Sequence, residues 1–396
     1  MIKVRDVTNS FAILSAIILL MHNLVFNFTI GNTYYLLFLL ILIPLLFGKN
    51  PSINISMTFL VTGCLLSLVF NEIPSFFQPY ERFGIFLLLL LLIGPFYSNS
   101  LLVEYRNRLF WILNYLITLL VALSFVGLTL NLSIVHNFSG FSGFFSHSMF
   151  LGPMAAVSSI FCFYVYYISS TKKKKFFYII LFAISLLACL ASGSRAALFA
   201  GLSGLIFSIY FLYKGRFIKY LKVIFISILV LTLSFPVWKD YSERIIEKVS
   251  YAEEQGSLTT TRDVLWQSRL LEFDSSPIVG VGFSAMDTNL NNKYDKETGN
   301  VEPGSSWLAV LSMTGLLGFI PLIVLLFSVL NRILRQQINL PFSALLGGIL
   351  IFFIIHMFAE GYIFSAGSGL FFYFWLLMGV IINEQESSCN ISYKYT

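Results

Sequence analysis

Charged residues are scarce in this chain. Of its 396 residues, 11% are charged and 57% are hydrophobic, whereas about a quarter of the residues in a soluble domain are charged. This scarcity excludes a soluble domain of ordinary size and predicts a polytopic membrane protein. Cysteine and histidine are scarce too, with four of each. They show no metal-ligand spacing, so we predict neither a disulfide framework nor a metal site.

Long apolar runs, by contrast, are abundant. A run of about 20 residues crosses the hydrocarbon core of a bilayer as a helix. We therefore predict an all-α integral membrane protein with about twelve transmembrane helices. The predicted spans are 11–30, 34–48, 55–71, 83–98, 108–130, 146–170, 176–192, 196–213, 219–236, 305–330, 342–360 and 362–382. The second and third of these could instead form a re-entrant hairpin, because Pro44 and a turn at Gly48–Pro51 interrupt them.

One long polar segment divides the apolar chain. We predict four regions: 1–236 with spans one to nine, 237–304 as a large extracytoplasmic loop, 305–383 with spans ten to twelve, and 384–396 as a cytoplasmic tail. Lysine and arginine of the short loops fall mostly on one side, which predicts that both termini are cytoplasmic. The net charge of +6 then reflects basic loops against anionic lipid, and it does not indicate a nucleic-acid partner.

The polar segment has its own predicted organisation. Charge pairs at helical spacing predict a short surface helix over Lys239–Lys248. A threonine cap at Thr259 predicts a second helix that carries Arg262 near its beginning. The stretch Asn289–Gly299 is polar and predicts an exposed excursion.

Several polar side chains converge on the predicted outer face. They are Arg82, Arg195, Arg262, Glu302, His356 and Glu360. The guanidinium fork binds phosphate oxygens through two hydrogen bonds and keeps its charge, so arginines at this depth favour a phosphate or diphosphate ligand. A polyprenyl diphosphate places its tail in lipid and its diphosphate at this level.

The arginines differ in how strongly they indicate function. Arg195 stands among small residues at the predicted outer end between spans seven and eight, where an arginine is costly and so indicates a site. The small neighbours leave room for an anion or for another helix. Arg82 could instead pair with Glu81 or extend to the interface, and Arg262 could form an ordinary surface ion pair with Asp263.

The acidic and imidazole groups also have two interpretations. His356 and Glu360 are four residues apart and would share a helix face, where they could form a plain interhelical hydrogen bond. Glu302 precedes span ten and could assist helix capping or act as a base. Either Ser305 or Ser306 could cap that helix.

Several short segments occur in a characteristic order along the chain. The segments are Gly143-Phe144-Phe145-Ser146-His147 with Gly152, Ser192-Gly193-Ser194-Arg195, Arg262 with Trp266, Ser276-Pro277 with Gly280 and Gly282, Glu302-Pro303-Gly304-Ser305-Ser306-Trp307-Leu308, and Gly315-Leu316-Leu317-Gly318. Their order and predicted topology resemble the O-antigen ligase and polymerase superfamily of bacterial envelope glycosyltransferases. The resemblance covers roughly residues 80–380.

The resemblance implies an inverting, metal-independent glycosyltransferase without a cofactor. It implies that the enzyme takes a glycan from undecaprenyl pyrophosphate at the periplasmic face of the inner membrane. Arg195 and Arg262 match the family arginines that hold the donor pyrophosphate, and Arg82 is a further substrate-binding candidate. Ligases of the family carry a histidine base immediately before the re-entering helix, but this position is Gly304 here. The base candidates are therefore Glu302 and then the His356 and Glu360 pair.

This departure counts against a ligase that transfers glycan to lipid A-core and favours a polymerase. A polymerase takes its donor and its acceptor from undecaprenyl-pyrophosphate-linked oligosaccharides in the bilayer, and the resemblance implies a chain-length regulator and a flippase of the same pathway as partners. The ligase remains the near alternative. A polysaccharide or lipid-linked oligosaccharide transporter is the alternative from another class, although such proteins usually contain symmetry-related repeats, which the sequence does not show. A structural partner in polysaccharide assembly would have no need for two separated arginines.

Overall fold

Helices make up 75% of the protein in a computed structural model. The structure describes residues 4–25, 31, 33–137, 140–254, 260–290, 294–335 and 339–391. The helices are α1 (Val4–Asn23), α2 (Thr33–Leu45), α3 (Ile55–Phe70), α4 (Pro79–Leu92), α5 (Ser100–Thr129), α6 (Ser148–Ile168), α7 (Lys172–Ala191), α8 (Arg195–Leu212), α9 (Phe217–Leu233), α10 (Phe235–Glu254), α11 (Thr260–Ser275), α12 (Ser306–Leu334), α13 (Leu340–His356) and α14 (Gly369–Ile391). Two short antiparallel pairs join β1 (Ser52–Ile53) to β2 (Tyr97–Ser98) and β3 (His136–Asn137) to β4 (Gly140–Phe141).

Apolar helices dominate the described residues, which agrees with an all-α membrane protein. Six helical stretches are long and apolar enough to cross a bilayer: Ser75–Leu92, Ser100–Thr129, Ser148–Ile168, Lys172–Ala191, Arg195–Leu212 and Ser306–Leu334. Four apolar helices are shorter: Thr33–Leu45, Ile55–Phe70, Leu340–His356 and Gly369–Asn383. The count of twelve spans and the orientation of the termini stay predictions.

Four predicted spans differ from their helices by six residues or more at one or both ends. The first begins at Val4 instead of residue 11, and the fifth begins at Ser100 instead of residue 108. The span predicted over 83–98 ends at Leu92, because residues 97–98 pair with β1 as strand β2. The span predicted over 362–382 begins only at Gly369, since residues 362–368 form turns. Apolar composition alone did not distinguish these buried turns from helix.

Small residues bring α8 and α13 into close antiparallel contact. The backbone at Gly204 lies against that of Gly348, and Ser208 Oγ donates to the carbonyl of Ala344 at 2.8 Å. Close backbone approach at small residues is a common way for membrane helices to associate. The antiparallel order places Arg195, at the beginning of α8, and His356, at the end of α13, at the same end of the pair.

Helix α12 is broken at Gly315, and a loop enters the break. Gly315 has φ +57° and ψ −159°, which lie outside the helical region. The freed carbonyls of Ser312 and Met313 accept hydrogen bonds from the amides of Val281 and Gly282 at 2.9 and 3.3 Å. Irregular backbone at membrane depth requires protein partners of this kind. The segment that contains Ser276, Pro277, Gly280 and Gly282 is therefore a structural insert into α12.

Arg106 holds the turn between α4 and α5. The sequence places it in a basic cytoplasmic loop, but its side chain is 0% exposed within α5. It donates to the carbonyls of Leu91, Leu92 and Tyr97 at 2.7–3.0 Å and to Ser98 Oγ at 3.0 Å. The interpretation of Arg106 as a loop charge is therefore wrong, because the carbonyls at the end of α4 bind it inside the protein.

Replacing Arg106 tests this role. Arg106→Leu leaves several buried carbonyls without a donor, and we expect a loss of unfolding free energy on the order of 3 kcal/mol or more. The control is Arg108→Leu, since Arg108 makes a partly exposed bond to Glu104 at 2.7 Å and should cost less than about 1 kcal/mol. Tryptophan fluorescence during denaturation in detergent measures both variants. Equal losses would contradict the role assigned to Arg106.

Candidate active site

Arg262 lies at the start of α11 and reaches the end of α13. Its Nη2 forms a salt bridge with Glu360 Oε1 at 2.6 Å, and its Nη1 donates to the carbonyl of Gly304 at 3.2 Å. Trp266 Nε1, one turn later, donates to the same carbonyl at 3.2 Å. The Arg262 and Trp266 spacing thus places both donors on one face of α11. The salt-bridge partner is Glu360, so the interpretation of Arg262 as an ordinary surface ion pair is wrong.

Gly304 explains why a histidine is missing before α12. Its φ is +69°, a conformation that side chains rarely adopt, and a Cβ atom there would lie 2.9 Å from Leu265 Cβ. A histidine would therefore be strained and would collide with α11 in this backbone. The departure from the ligase pattern is built into the local structure.

Glu360 lies beyond the end of α13. The helix ends at His356, and residues 357–359 form a turn. The prediction that His356 and Glu360 share a helix face is therefore wrong. The Glu360 side chain is 21% exposed. Burial raises the pKa of its carboxyl, Arg262 acts in the opposite direction, and Glu302 adds to the rise.

His356 is buried, and its ring packs against aromatic side chains. Its side chain is 1% exposed, and its ring stacks on Phe352 and Tyr362 with centroids 5.2 and 5.7 Å apart. Its Nδ1 lies 3.3 Å from Tyr362 Oη, while Nε2 is buried with no hydrogen-bond partner among the described residues. None of these contacts is with Arg262 or with the Glu360 carboxylate.

The start of α12 is tied to the end of α13 by two serines. Ser305 occupies the N-cap position, but its side chain makes no capping hydrogen bond. Its hydroxyl donates to the carbonyl of Met357 at 3.2 Å, and Ser306 Oγ donates to that of Glu360 at 2.7 Å. The prediction that one of them caps α12 is confirmed for the position of Ser305, but both hydroxyls bind carbonyls after α13 and neither side chain makes a capping hydrogen bond.

Arg82 anchors the segment that returns from the polar loop. Its Nη2 donates to the carbonyl of Thr298 at 2.9 Å and to Asn300 Oδ1 at 3.1 Å, and its Nη1 donates to Ser284 Oγ at 3.2 Å. The interpretation of Arg82 as an arginine that merely extends to the interface is therefore wrong. It fixes residues 298–300.

The predicted excursion Asn289–Gly299 is held in place where it is described. Tyr294 pairs with Val301 through an isolated bridge and stacks on Phe76 at 5.6 Å. Gly299 lies against the backbone of Phe76. The prediction of an exposed excursion agrees with residues 289–290 and 295–298, which are exposed, whereas Tyr294 and Gly299 pack against Phe76.

A cavity of about 490 Å³ opens beside these contacts. Its lining includes Arg82, Glu81, Tyr35, Pro303 and Gly361. Glu302 is exposed and stands between Val301 and Pro303, which both line the cavity. The segment that carries Glu302 is thus fixed by Arg82 on one side and by Arg262 on the other.

Arg195 is the first residue of α8, after the N-cap Ser194. Its Nη1 lies 3.4 Å from the carbonyl of Lys248 in α10. The sequence predicted that either an anion or another helix approaches Arg195. In the structure, helix α10 lies beside it. The predicted surface helix Lys239–Lys248 is longer than expected and extends over Phe235–Glu254.

The structure therefore places the predicted residues in three groups. Arg262 and Glu360 form one group, Arg82 and the segment carrying Glu302 form the second, and Arg195 lies with α10. Helix α11 begins at Thr260, as the Arg262 prediction required, while the proposed cap Thr259 lies outside the described residues.

Three sets of charged residues were not predicted. Arg269 and Glu272 form a fully buried pair at 2.8 Å in α11, and Glu272 Oε1 also accepts the amide of Asp287 at 2.9 Å. Their i,i+3 spacing was the only sequence signal. The others are Arg244 and Lys248 of α10, and the buried Arg106.

Within the described residues, no group of three or more histidine, cysteine, aspartate or glutamate side chains is arranged to hold a metal ion.

The fold and this cationic region define an all-helical membrane protein with arginines at one end of its helix pair. The family described as O-antigen ligase matches residues 180–323, which include Arg195, Arg262 and Glu302. The match covers less than half of the chain and agrees with the resemblance to the O-antigen ligase/polymerase superfamily. A comparison with curated proteins gave no match.

Proposed function

We propose that this protein is a bacterial surface-polysaccharide polymerase. It joins undecaprenyl-pyrophosphate-linked repeat units at the periplasmic face of the inner membrane. The observation that carries the proposal is the placement of Arg195 and of the Arg262 and Glu360 pair toward the same end of α8 and α13. Arg195 and Arg262 lie inside the family match, and Glu360 lies beyond its end at residue 323. Gly304 in place of a histidine supports the polymerase over the ligase.

The proposed reaction is an inverting displacement. A hydroxyl oxygen of the acceptor repeat unit attacks the anomeric carbon of the donor chain and forms the new glycosidic bond. The bond from that carbon to the pyrophosphate oxygen breaks, and undecaprenyl pyrophosphate leaves with the electron pair. Arg195 and Arg262 stabilise the charge on the leaving group, which is the transition-state role that fixed donors perform best.

The proton of the acceptor hydroxyl goes to a carboxylate. Both Glu302 and Glu360 lie in the segments around Gly304, but Glu360 directly contacts Arg262. When Arg262 turns to the donor pyrophosphate, Glu360 loses the charge that lowers its pKa and becomes a better base. The contacts therefore favour Glu360 over Glu302. Arg82 positions the Glu302 segment at the cavity, where the acceptor glycan binds.

A complementation experiment tests polymerase against ligase. The gene is deleted in a host that makes a surface polysaccharide, restored as wild type or Arg195→Ala, and the glycans are resolved by size. We expect single repeat units on the surface or on lipid, and no long chains, without the gene and with Arg195→Ala. The control Lys239→Ala changes an exposed cation of α10 and should restore long chains. Long lipid-linked polymer that accumulates unattached after deletion would favour the ligase.

A further inference from the structure

Three cations meet where α10 crosses the beginning of α8. Arg195 Nη1 lies 3.4 Å from the carbonyl of Lys248, and Lys248 Nζ donates to the carbonyl of Gly193 at 2.9 Å. Arg244, one turn before Lys248, packs beside Gly193 and against Gly140. Among the described residues, no salt bridge joins any of these three side chains to a carboxylate. Within the part of the chain that the structure describes, the group therefore concentrates positive charge without a salt-bridge partner.

The backbone around the group makes room for it. Gly193 has φ +68°, and a Cβ there would lie 3.4 Å from Lys248 Nζ and from Arg244 Cδ. Gly140 has φ +96°, and any side chain there would run into the Arg244 guanidinium. The absence of a side chain at Gly140 therefore leaves space for the Arg244 guanidinium, whereas Gly193 is favoured by its positive φ and a Cβ there would make only ordinary contacts.

The charges are only partly satisfied. Arg244 Nη1 is buried and has no hydrogen-bond partner among the described residues. Burial and the neighbouring charges of Arg244 and Arg195 lower the pKa of Lys248. Like charges that lie together and a buried donor without an acceptor both cost stability. An anion with several oxygen acceptors would remove both costs, and a phosphate group fits the guanidinium fork and the ammonium.

We propose that Arg195, Arg244 and Lys248 form a binding site for a phosphate or diphosphate group. The proposal deepens the proposed function, because it rests on Arg195 as a donor-binding residue and adds Arg244 and Lys248 of α10. The pyrophosphate of the donor lipid is one source of this chemistry, and the headgroup of an anionic phospholipid is the other. In either case α10 is part of the binding site and is not a plain surface helix.

Binding to the purified full chain in nanodiscs of neutral lipid tests the proposal without requiring any transferase activity. The probes are farnesyl pyrophosphate and, separately, nanodiscs that contain phosphatidylglycerol. We expect Arg244→Gln and Lys248→Gln each to weaken binding of the effective probe several-fold, and the double variant to weaken it more than tenfold. Lys248→Arg should retain most of the binding, and the control Lys239→Gln on the same helix should bind like wild type.

Thermal unfolding separates a binding role from a structural one. Removing one of several repelling charges should raise the melting temperature of Arg244→Gln without ligand and reduce the increase that the probe gives the wild type. Loss of the pyrophosphate response identifies the donor-type ligand, and loss of the phosphatidylglycerol response alone identifies a lipid headgroup. Unchanged binding of both probes in the double variant would overturn the proposal. If binding depends on these residues but the protein forms no polymer, the phosphate-binding site is supported and only the proposed polymerase function is refuted.

Discussion

Arg262→Ala should abolish the formation of long chains. The substitution removes both the salt bridge to Glu360 and the donor to the Gly304 carbonyl. It also removes the charge that stabilises the leaving pyrophosphate in the proposed mechanism. Loss of one such fixed donor typically costs about 100- to 1000-fold in rate, and we expect an effect of this size on the initial rate of elongation by the purified protein.

Two further variants control this result. Arg262→Lys keeps the charge but cannot make the two-pronged contact, so we expect an intermediate rate. Arg335→Ala, at the opposite end of α12 and bonded to Asn331 within its own helix, should elongate like wild type. An Arg262→Ala protein that is folded and keeps half the wild-type rate would show that Arg262 does not bind the leaving group.

Glu360→Gln should cause a loss of comparable size, whereas Glu302→Gln should not. A general base contributes roughly 100- to 10,000-fold, and the amide of glutamine accepts no proton at working pH. Burial raises the pKa of Glu360, and a base works only when deprotonated. The wild-type rate should therefore fall as the pH drops through this raised pKa, at higher pH than for an ordinary glutamate.

The acid limb of the pH profile should move in a specific direction. Glu302 raises the pKa of Glu360, so Glu302→Gln should move the limb to lower pH while activity remains. The charge of Arg262 lowers the pKa of Glu360, so the residual activity of Arg262→Gln should show the limb at higher pH. Activity lost in Glu302→Gln and kept in Glu360→Gln would exchange the roles of the two carboxylates.

The helices that carry the site followed from local sequence. Runs of apolar residues are sufficient to predict α6, α7 and α8 within a few residues, because the bilayer fixes the length of a helix that crosses it. Arg262 was predicted near the beginning of a helix, and it lies in the first turn of α11. Trp266, one turn later, lies on the same face of that helix. These features depend on neighbours in the sequence.

Features that depend on distant partners were missed. The break at Gly315 requires the amides of Val281 and Gly282 to satisfy α12, and nothing near Gly315 in the sequence shows this. Arg244 and Lys248 alternate with Glu243 and Glu247, which is the pattern of an exposed helix with its own ion pairs. Their position beside Arg195 depends on how α10 packs across the end of α8.

Glu360 shows the same limitation at a helix end. Its spacing from His356 suits a helix, but the amide and hydroxyl of Ser306 bind the carbonyls beyond His356. That contact, between residues far apart in the chain, turns Glu360 toward Arg262. The sequence therefore predicted Arg262 and Glu360 as candidate residues, but it did not predict that they contact each other.

Elongation by the purified protein tests the central claim most directly. The protein in liposomes receives one substrate only, a repeat unit linked to undecaprenyl pyrophosphate, and the products are separated by chain length while released undecaprenyl pyrophosphate is measured. We expect a ladder of lipid-linked chains that differ by one repeat unit, one released lipid pyrophosphate for each new bond, and neither product with Arg195→Ala. Release of lipid pyrophosphate without lengthened lipid-linked chains, or no reaction until a different acceptor is added, would contradict the account.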